Sequence, residues 1–139
     1  MQDHWARTEP LWPGGAERVT RLVVFAPDAP VTRVARRLAP LLSVPYLDIV
    51  PPEWLHLTLE GEPQQWRFDR VRVVDEGVVL EADGPGWPHV SLAYGNREAD
   101  ASALERALAE VSVDADSSGS AVVLVRLRRA GRCYVWEPA

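Results

Sequence analysis

The sequence has no lysine, one cysteine (Cys133) and no long hydrophobic run. A single cysteine cannot form an internal disulfide, which fits a reducing compartment. No apolar segment approaches the roughly 18 residues that span a bilayer. Residues 1–13 also lack the apolar stretch that a secretory signal needs. We therefore expect a cytoplasmic protein that makes no contact with a membrane.

Acidic residues outnumber basic ones, with 20 aspartates and glutamates against 15 arginines and a net charge of −5. Proteins that bind long nucleic acid present a basic surface, because much of their affinity comes from neutralising the charge of the phosphates. We therefore expect no binding to long nucleic acid. Arginine binds phosphate through paired hydrogen bonds, so a local phosphate site is still compatible with this composition.

The length of 139 residues, 47% of them hydrophobic, suits a single domain that covers 1–139 and has a real core. Six tryptophans argue against disorder. Residues 1–17 are rich in proline and glycine, and they predict an irregular N-terminal arm on which His4 is a surface residue. We expect the protein to be a monomer.

Hydrophobic periodicity predicts an α+β domain. Apolar residues at helical spacing predict helices around 31–41 and 99–111, with Asp28 capping the first helix and Pro40 at its end. Alternating and β-branched runs predict strands at 18–26, 54–59, 71–74, 78–80, 90–93, 121–128 and 132–136. The order of these elements indicates two similar halves that face each other.

Two matching tetrapeptides carry the chemistry, HLTL at 56–59 and HVSL at 89–92. In a strand, residues two positions apart lie on the same face. The histidine and the hydroxyl residue of each motif therefore share one face, while the leucines point to the core. Two such strands side by side would present four polar side chains to one cleft. These side chains are His56, Thr58, His89 and Ser91.

This set of groups suits attack on a phosphodiester. The reaction needs a base for the entering oxygen and an acid for the leaving oxygen, and histidine can serve as either near neutral pH. Hydroxyl groups can hydrogen-bond the non-bridging phosphate oxygens, where negative charge builds up. We expect His56 and His89 to be catalytic and Thr58 and Ser91 to hold the phosphate. The sequence has no carboxylate cluster for a metal ion, so we expect no metal and no other cofactor.

The two motifs resemble the paired signatures of the 2H phosphoesterase superfamily, which includes bacterial 2′–5′ RNA ligase-like proteins and 2′,3′-cyclic phosphodiesterases. The segments 50–59, 88–94 and 127–138 are similar to those of actinobacterial members. The resemblance implies a bilobal fold, with two antiparallel sheets related by a pseudo-two-fold axis around a central cleft and with the helices outside. It favours His89 as the group that activates water and His56 as the group that protonates the leaving oxygen.

Aromatic residues near the motifs are further candidates for substrate binding. Tyr94, five residues past His89, matches a position that lines the pocket in related enzymes. Trp54 and Trp87 each precede a motif histidine by two residues, so alternation predicts that they share its face. There they could stack a nucleobase. Packing at the edge of the cleft is an equally open interpretation.

The predicted function is hydrolysis of a cyclic phosphate or a 2′–5′ phosphodiester in a small nucleotide or an RNA end. The alternative is a shortened, non-catalytic or repurposed relative that binds a nucleotide or another ligand in the two-histidine cleft. All four polar groups of the motifs are kept, which favours the enzyme. His56 and His89 are only 33 positions apart, whereas family members usually have a longer intervening segment with helices, and this favours the alternative.

Overall fold

Three α-helices and nine strands form an α+β structure, described by a computed structural model that covers all residues, 1–139. The α-helices are α1 (His4–Thr8), α2 (Pro30–Leu42) and α3 (Ser102–Ala109). The strands are β1 (Glu17–Phe25), β2 (Leu47–Ile49), β3 (His56–Thr58), β4 (Arg67–Val74), β5 (Gly77–Ala82), β6 (His89–Gly95), β7 (Ala115–Asp116), β8 (Ser120–Arg129) and β9 (Tyr134–Pro138). Short 3₁₀ helices lie at Glu9–Leu11 and Pro52–Trp54.

The strands form two sheets in which every pairing is antiparallel. Sheet A has the order β3-β1-β8-β9, and sheet B has the order β2-β6-β5-β4-β7. The two histidine motifs therefore lie in different sheets, on β3 at an edge of sheet A and on β6 inside sheet B. These two strands approach each other across the gap between the sheets. The α+β class and the two antiparallel sheets agree with the expectation from the sequence.

Side chains along the two motif strands, β3 and β6, point alternately to the helices and to the opposite face. Leu57 of β3 and Val90 and Leu92 of β6 are buried in the main hydrophobic core. The apolar faces of α2 and α3 pack into the same core. The two long helices therefore cover the face of the strands that lies opposite to the histidines and hydroxyls.

The N-terminal residues correct one prediction. Residues 4–8 form α1, so the segment 1–17 is not an irregular arm throughout. The Asp3 carboxylate caps this helix by accepting hydrogen bonds from the backbone N–H groups of Trp5 and Ala6, at 3.0 and 3.1 Å. The indole of Trp5 in turn donates a hydrogen bond to Asp48 at 3.0 Å. The prolines and glycines that follow obscured this short capped helix in the sequence.

The ends of several elements also differ from prediction. Helix α2 begins after Ala29 with Pro30 at its first position, and Asp28 does not cap it. Proline suits that position because the N–H it lacks would have no partner in the helix. Pro40 lies within α2 rather than at its end, because the helix continues to the buried Leu42.

Helix α3 is shorter than the predicted 99–111. Strands β2 and β7, with three and two residues, were too short to predict.

Truncating the core side of a motif strand should destabilise the fold. Leu57 is 3% exposed, so we expect Leu57→Ala to lower the free energy of unfolding by about 2–5 kcal/mol through lost burial and the cavity left behind. Urea denaturation measures this change. Leu124, also a strand leucine, is 54% exposed, and Leu124→Ala should change the free energy by no more than about 0.5 kcal/mol. Equal effects of the two substitutions would contradict the assignment of the core side.

Candidate functional site

A cavity of about 600 Å³ lies between the two sheets, and both motifs line it. Its volume falls within the roughly 300–1,000 Å³ typical of sites for small molecules. Strands from each sheet and the N-terminal segment contribute to its wall. The structure thus brings the four predicted catalytic side chains to one space. They are His56, Thr58, His89 and Ser91.

The two motif imidazoles are held by the same kind of hydrogen bond. Nδ1 of His56 lies 2.9 Å from the carbonyl oxygen of Trp54, and Nδ1 of His89 lies 2.9 Å from that of Trp87. A carbonyl oxygen can only accept, so Nδ1 carries the proton in each neutral ring. Nε2 of each ring is then free to exchange a proton with a bound ligand. Each strand thus presents an imidazole in the same tautomer.

Burial and mutual proximity shape the protonation of this pair. Burial lowers the pKa of His56, the hydrogen bond to the Trp54 carbonyl opposes this, and the nearby His89 lowers the pKa further. A positive charge on His89 therefore opposes a positive charge on His56. A buried imidazole that favours its neutral form is suited to accept a proton.

The tryptophans that precede the motifs lie in different places. Trp54 belongs to the 3₁₀ helix Pro52–Trp54 and packs edge-to-face on Trp136, with 4.8 Å between ring centroids. It is not among the residues that line the cavity, because strand alternation starts only at His56. Substrate binding by Trp54 stays a prediction. Trp87 does line the cavity and stacks on the ring of His89 at 3.7 Å.

Tyr94 lies in the cavity wall, and His4 lies beside it. The two rings stack with 4.5 Å between centroids. Nε2 of His4 is 2.6 Å from the Tyr134 hydroxyl, and Nδ1 is 3.3 Å from a carboxylate oxygen of Glu76. The expectation that His4 is a surface residue is therefore wrong, because α1 docks against β6 and turns His4 inward. The one signal for this in the sequence was Asp3, a helix cap immediately before it.

The rings of His4 and Tyr94 are uncharged at neutral pH. Burial lowers the pKa of His4 to about 4, with help from the Arg129 guanidinium and opposition from Asp3. Burial of the hydroxyl raises the pKa of Tyr94 far above its ordinary value. Because protein groups already face both ring nitrogens of His4, that ring is less suited to proton transfer than the two motif histidines.

Charged side chains also line the cavity. Arg18 is the one arginine in the lining, and its guanidinium lies 4.0 Å from the centroid of the Trp12 ring. Asp75 and Glu76 contribute carboxylates. No group of three or more His, Cys, Asp and Glu side chains lies close enough together to hold a metal ion.

Comparison with protein-family models, with curated proteins and with solved structures finds no match to this chain. None of the helices combines the length and the apolar character needed to span a bilayer. The function is therefore argued from the geometry of the cavity and from the motifs that line it.

The low pKa of His4 predicts a loss of stability as the pH falls from about 6.5 to about 4. The unfolded chain takes up a proton on His4 near its ordinary pKa of about 6.5, whereas the folded chain does so only at about 4. Stability therefore falls as the pH drops through this window, by about 1–2 kcal/mol for a partly exposed group. Urea denaturation across this pH range measures the change. His4→Gln should flatten the dependence, and an unchanged slope in that variant would contradict the assignment.

Proposed function

We propose that the protein is a metal-independent phosphodiesterase that hydrolyses a cyclic phosphate or a 2′–5′ phosphodiester in a small nucleotide or an RNA end. The observation that carries this proposal is the matched pair of His56 and His89 in one cavity. Each ring has Nδ1 tied to the carbonyl two residues earlier and leaves Nε2 free. The resemblance of both motifs to the 2H phosphoesterase signatures supports it. The repeated geometry also supports a bilobal 2H fold with a pseudo-two-fold axis.

Hydrolysis by such a pair needs two proton transfers. A water oxygen forms a bond to phosphorus while the bond from phosphorus to the leaving oxygen breaks. Nε2 of the base takes a proton from the water, and the protonated Nε2 of the acid gives its proton to the leaving oxygen. A cyclic phosphate thereby opens to a phosphomonoester and a free hydroxyl on the same sugar. Proton exchange with solvent then restores both rings.

The hydroxyls of Thr58 and Ser91 have a separate task. Each lies two positions after its histidine, on the same face of the strand. Both line the cavity beside the imidazoles. From there they can donate hydrogen bonds to the two non-bridging phosphate oxygens, where charge increases in the transition state. The two motifs would thus grip the phosphate from both sides.

The pKa of His56 bears on which histidine is the base. A base must be neutral before the reaction, and burial favours neutral His56. We therefore assign the base to His56 and the acid to His89, the reverse of what the family resemblance favours. The assignment concerns the roles within the pair, and the balance of the reaction is the same either way.

Loss of either catalytic histidine should strongly reduce turnover. We expect His56→Ala and His89→Ala each to lower the rate of phosphodiester cleavage by at least about 100-fold, the usual scale for a general acid or base. Circular dichroism and melting temperature check that both variants stay folded. Unchanged turnover in either variant would remove that histidine from the mechanism. Nucleotide binding by the wild type without any turnover would instead support a non-catalytic binding protein.

A substrate with a good leaving group separates the two roles. A 4-nitrophenyl phosphodiester releases an oxygen that needs no proton, so the acid becomes dispensable while the base is still required. With this substrate, His89→Ala should recover most of its lost rate and His56→Ala should not. The opposite pattern would assign the base to His89.

The proposed mechanism predicts how the activity responds to a chelator and to pH. Cleavage should persist in EDTA, because two imidazoles and two hydroxyls supply every group that the mechanism uses. The pH–rate profile should be bell-shaped, with an acidic limb below the ordinary histidine pKa of about 6.5, because burial lowers the pKa of His56. Both limbs belong to the coupled pair. A strict requirement for a divalent cation would disprove the mechanism.

A further inference from the structure

Trp87 has an unusual backbone conformation for its residue type. It is the one non-glycine residue with a positive φ, at 55°. This region suits glycine and strains residues with a side chain, by about 1–3 kcal/mol at the positions where it persists. Trp87 is also 48% exposed, so burial of the residue does not explain the strain. A strained conformation at the edge of a site persists where other contacts hold it.

Two contacts join Trp87 to His89. The backbone carbonyl of Trp87 accepts the hydrogen bond from Nδ1 of His89 at 2.9 Å. The indole lies almost parallel to the imidazole, with 3.7 Å between centroids and 22° between planes. The carbonyl fixes the rotation of the imidazole about the Cβ–Cγ bond of His89. The indole covers one face of the imidazole. Together these contacts leave the imidazole little freedom.

Two further residues hold the indole in place. Nε1 of Trp87 donates a hydrogen bond to Glu81, which is 3% exposed. Arg72 donates two hydrogen bonds, of 2.9 and 2.8 Å, to the same carboxylate. These bonds lower the pKa of Glu81 to about 2. Glu81 is also the direct cross-strand neighbour of His89 in the β5–β6 pairing. The carboxylate is thus a fixed, charged acceptor close to the imidazole that the indole covers.

The other histidine has no equivalent support. Nδ1 of His56 donates the same kind of hydrogen bond to the carbonyl two residues earlier, at Trp54, but the Trp54 ring packs on Trp136 instead. The nearest aromatic contact of His56 is the edge-to-face approach of Trp136 at 5.1 Å. The chain of contacts through an indole and an ion pair is therefore specific to His89.

We propose that Trp87 is a positioning residue for His89, and that Glu81 and Arg72 hold Trp87 in its strained conformation. The indole and the carbonyl keep the imidazole in one orientation with the proton on Nδ1, so that Nε2 points to the reacting phosphate. The predicted effect on turnover rests on the proposed phosphodiesterase function. The effect on the imidazole itself is independent of that function.

The first test uses Trp87→Gly and Trp87→Phe. Glycine adopts a φ of 55° without strain, so the glycine variant keeps the turn and the carbonyl and loses only the ring. We expect kcat to fall by at least about 10-fold with KM changed by less than about twofold, because misplacement of a reacting group mainly affects the chemical step. Trp87→Phe keeps a ring but has no Nε1–H, so its kcat should lie between those of the glycine variant and the wild type.

A matched control tests whether loss of any ion pair on this sheet has the same effect. Arg67 lies on β4 with Arg72 and pairs with Asp114, and it does not line the cavity. Arg67→Gln should leave kcat unchanged, whereas Arg72→Gln should lower kcat with KM unchanged. Equal kcat in these two variants would remove Arg72 from the proposal, because Glu81 also pairs with Arg70 at 3.5 Å and can stay charged without Arg72.

The second test does not depend on turnover. Two-bond ¹H–¹⁵N correlation spectra of the imidazoles report which ring nitrogen carries the proton. At a pH where both rings are neutral, both motif histidines of the wild type should show the Nδ1–H tautomer. Without the indole, the imidazole of His89 in Trp87→Gly can rotate away from the carbonyl, so a share of the Nε2–H tautomer should appear at His89. His56, which has no contact with Trp87, serves as the internal control and should be unchanged.

The outcomes are distinct. Unchanged kcat together with an unchanged His89 tautomer in Trp87→Gly would overturn the proposal. A higher KM with kcat and tautomer unchanged would make Trp87 a substrate contact, which also overturns it. If the wild type cleaves no phosphodiester, the proposed function fails, and the spectra alone decide the role of Trp87. If the glycine variant does not fold, the same measurements on Trp87→Phe decide it.

Discussion

The burial of alternate residues of β3 and β6 beneath the helices decides what the other residues of these strands can do. Leu57, Val90 and Leu92 are each at most 3% exposed, and burial of such side chains is worth about 1.5–3 kcal/mol apiece. Because the side-chain period of a strand is two, the residues between them must face the cavity. A slip of one residue would bury the imidazoles and expose the leucines. The hydrophobic core thus fixes the orientation of the polar site.

Much of the site could be predicted from the sequence because strand alternation is a local property. Each motif needs only three or four residues to place its histidine and hydroxyl on one face, and the structure has both faces as predicted. The same rule does not extend to Trp54, two residues upstream, because Pro51 and Pro52 lead into a 3₁₀ turn. Alternation holds only inside the strand, and proline marks where the strand cannot extend.

The parts that were not predicted depend on contacts between distant segments. His4 enters the cavity wall because α1 docks against β6, more than 80 positions away, and no local pattern encodes that docking. The division of the motif strands between two sheets is likewise a property of long-range pairing. The positive φ of Trp87 was also absent from the sequence signals, as was the hydrogen bond from its indole to Glu81 on the neighbouring strand.

A wall assembled from distant segments links ligand binding to folding. The cavity lining runs from His4 in α1 to Tyr134 in β9, so an unfolded or partly folded chain has no such pocket. Any molecule that fits the cavity binds the native state alone and stabilises it by RT ln(1 + [L]/Kd), about 2.7 kcal/mol at a ligand concentration one hundred times Kd. The melting temperature of this protein would then rise by several degrees for a true ligand. The affinities of a panel of nucleotides can therefore be ranked from the melting temperature of the protein in the presence of each one.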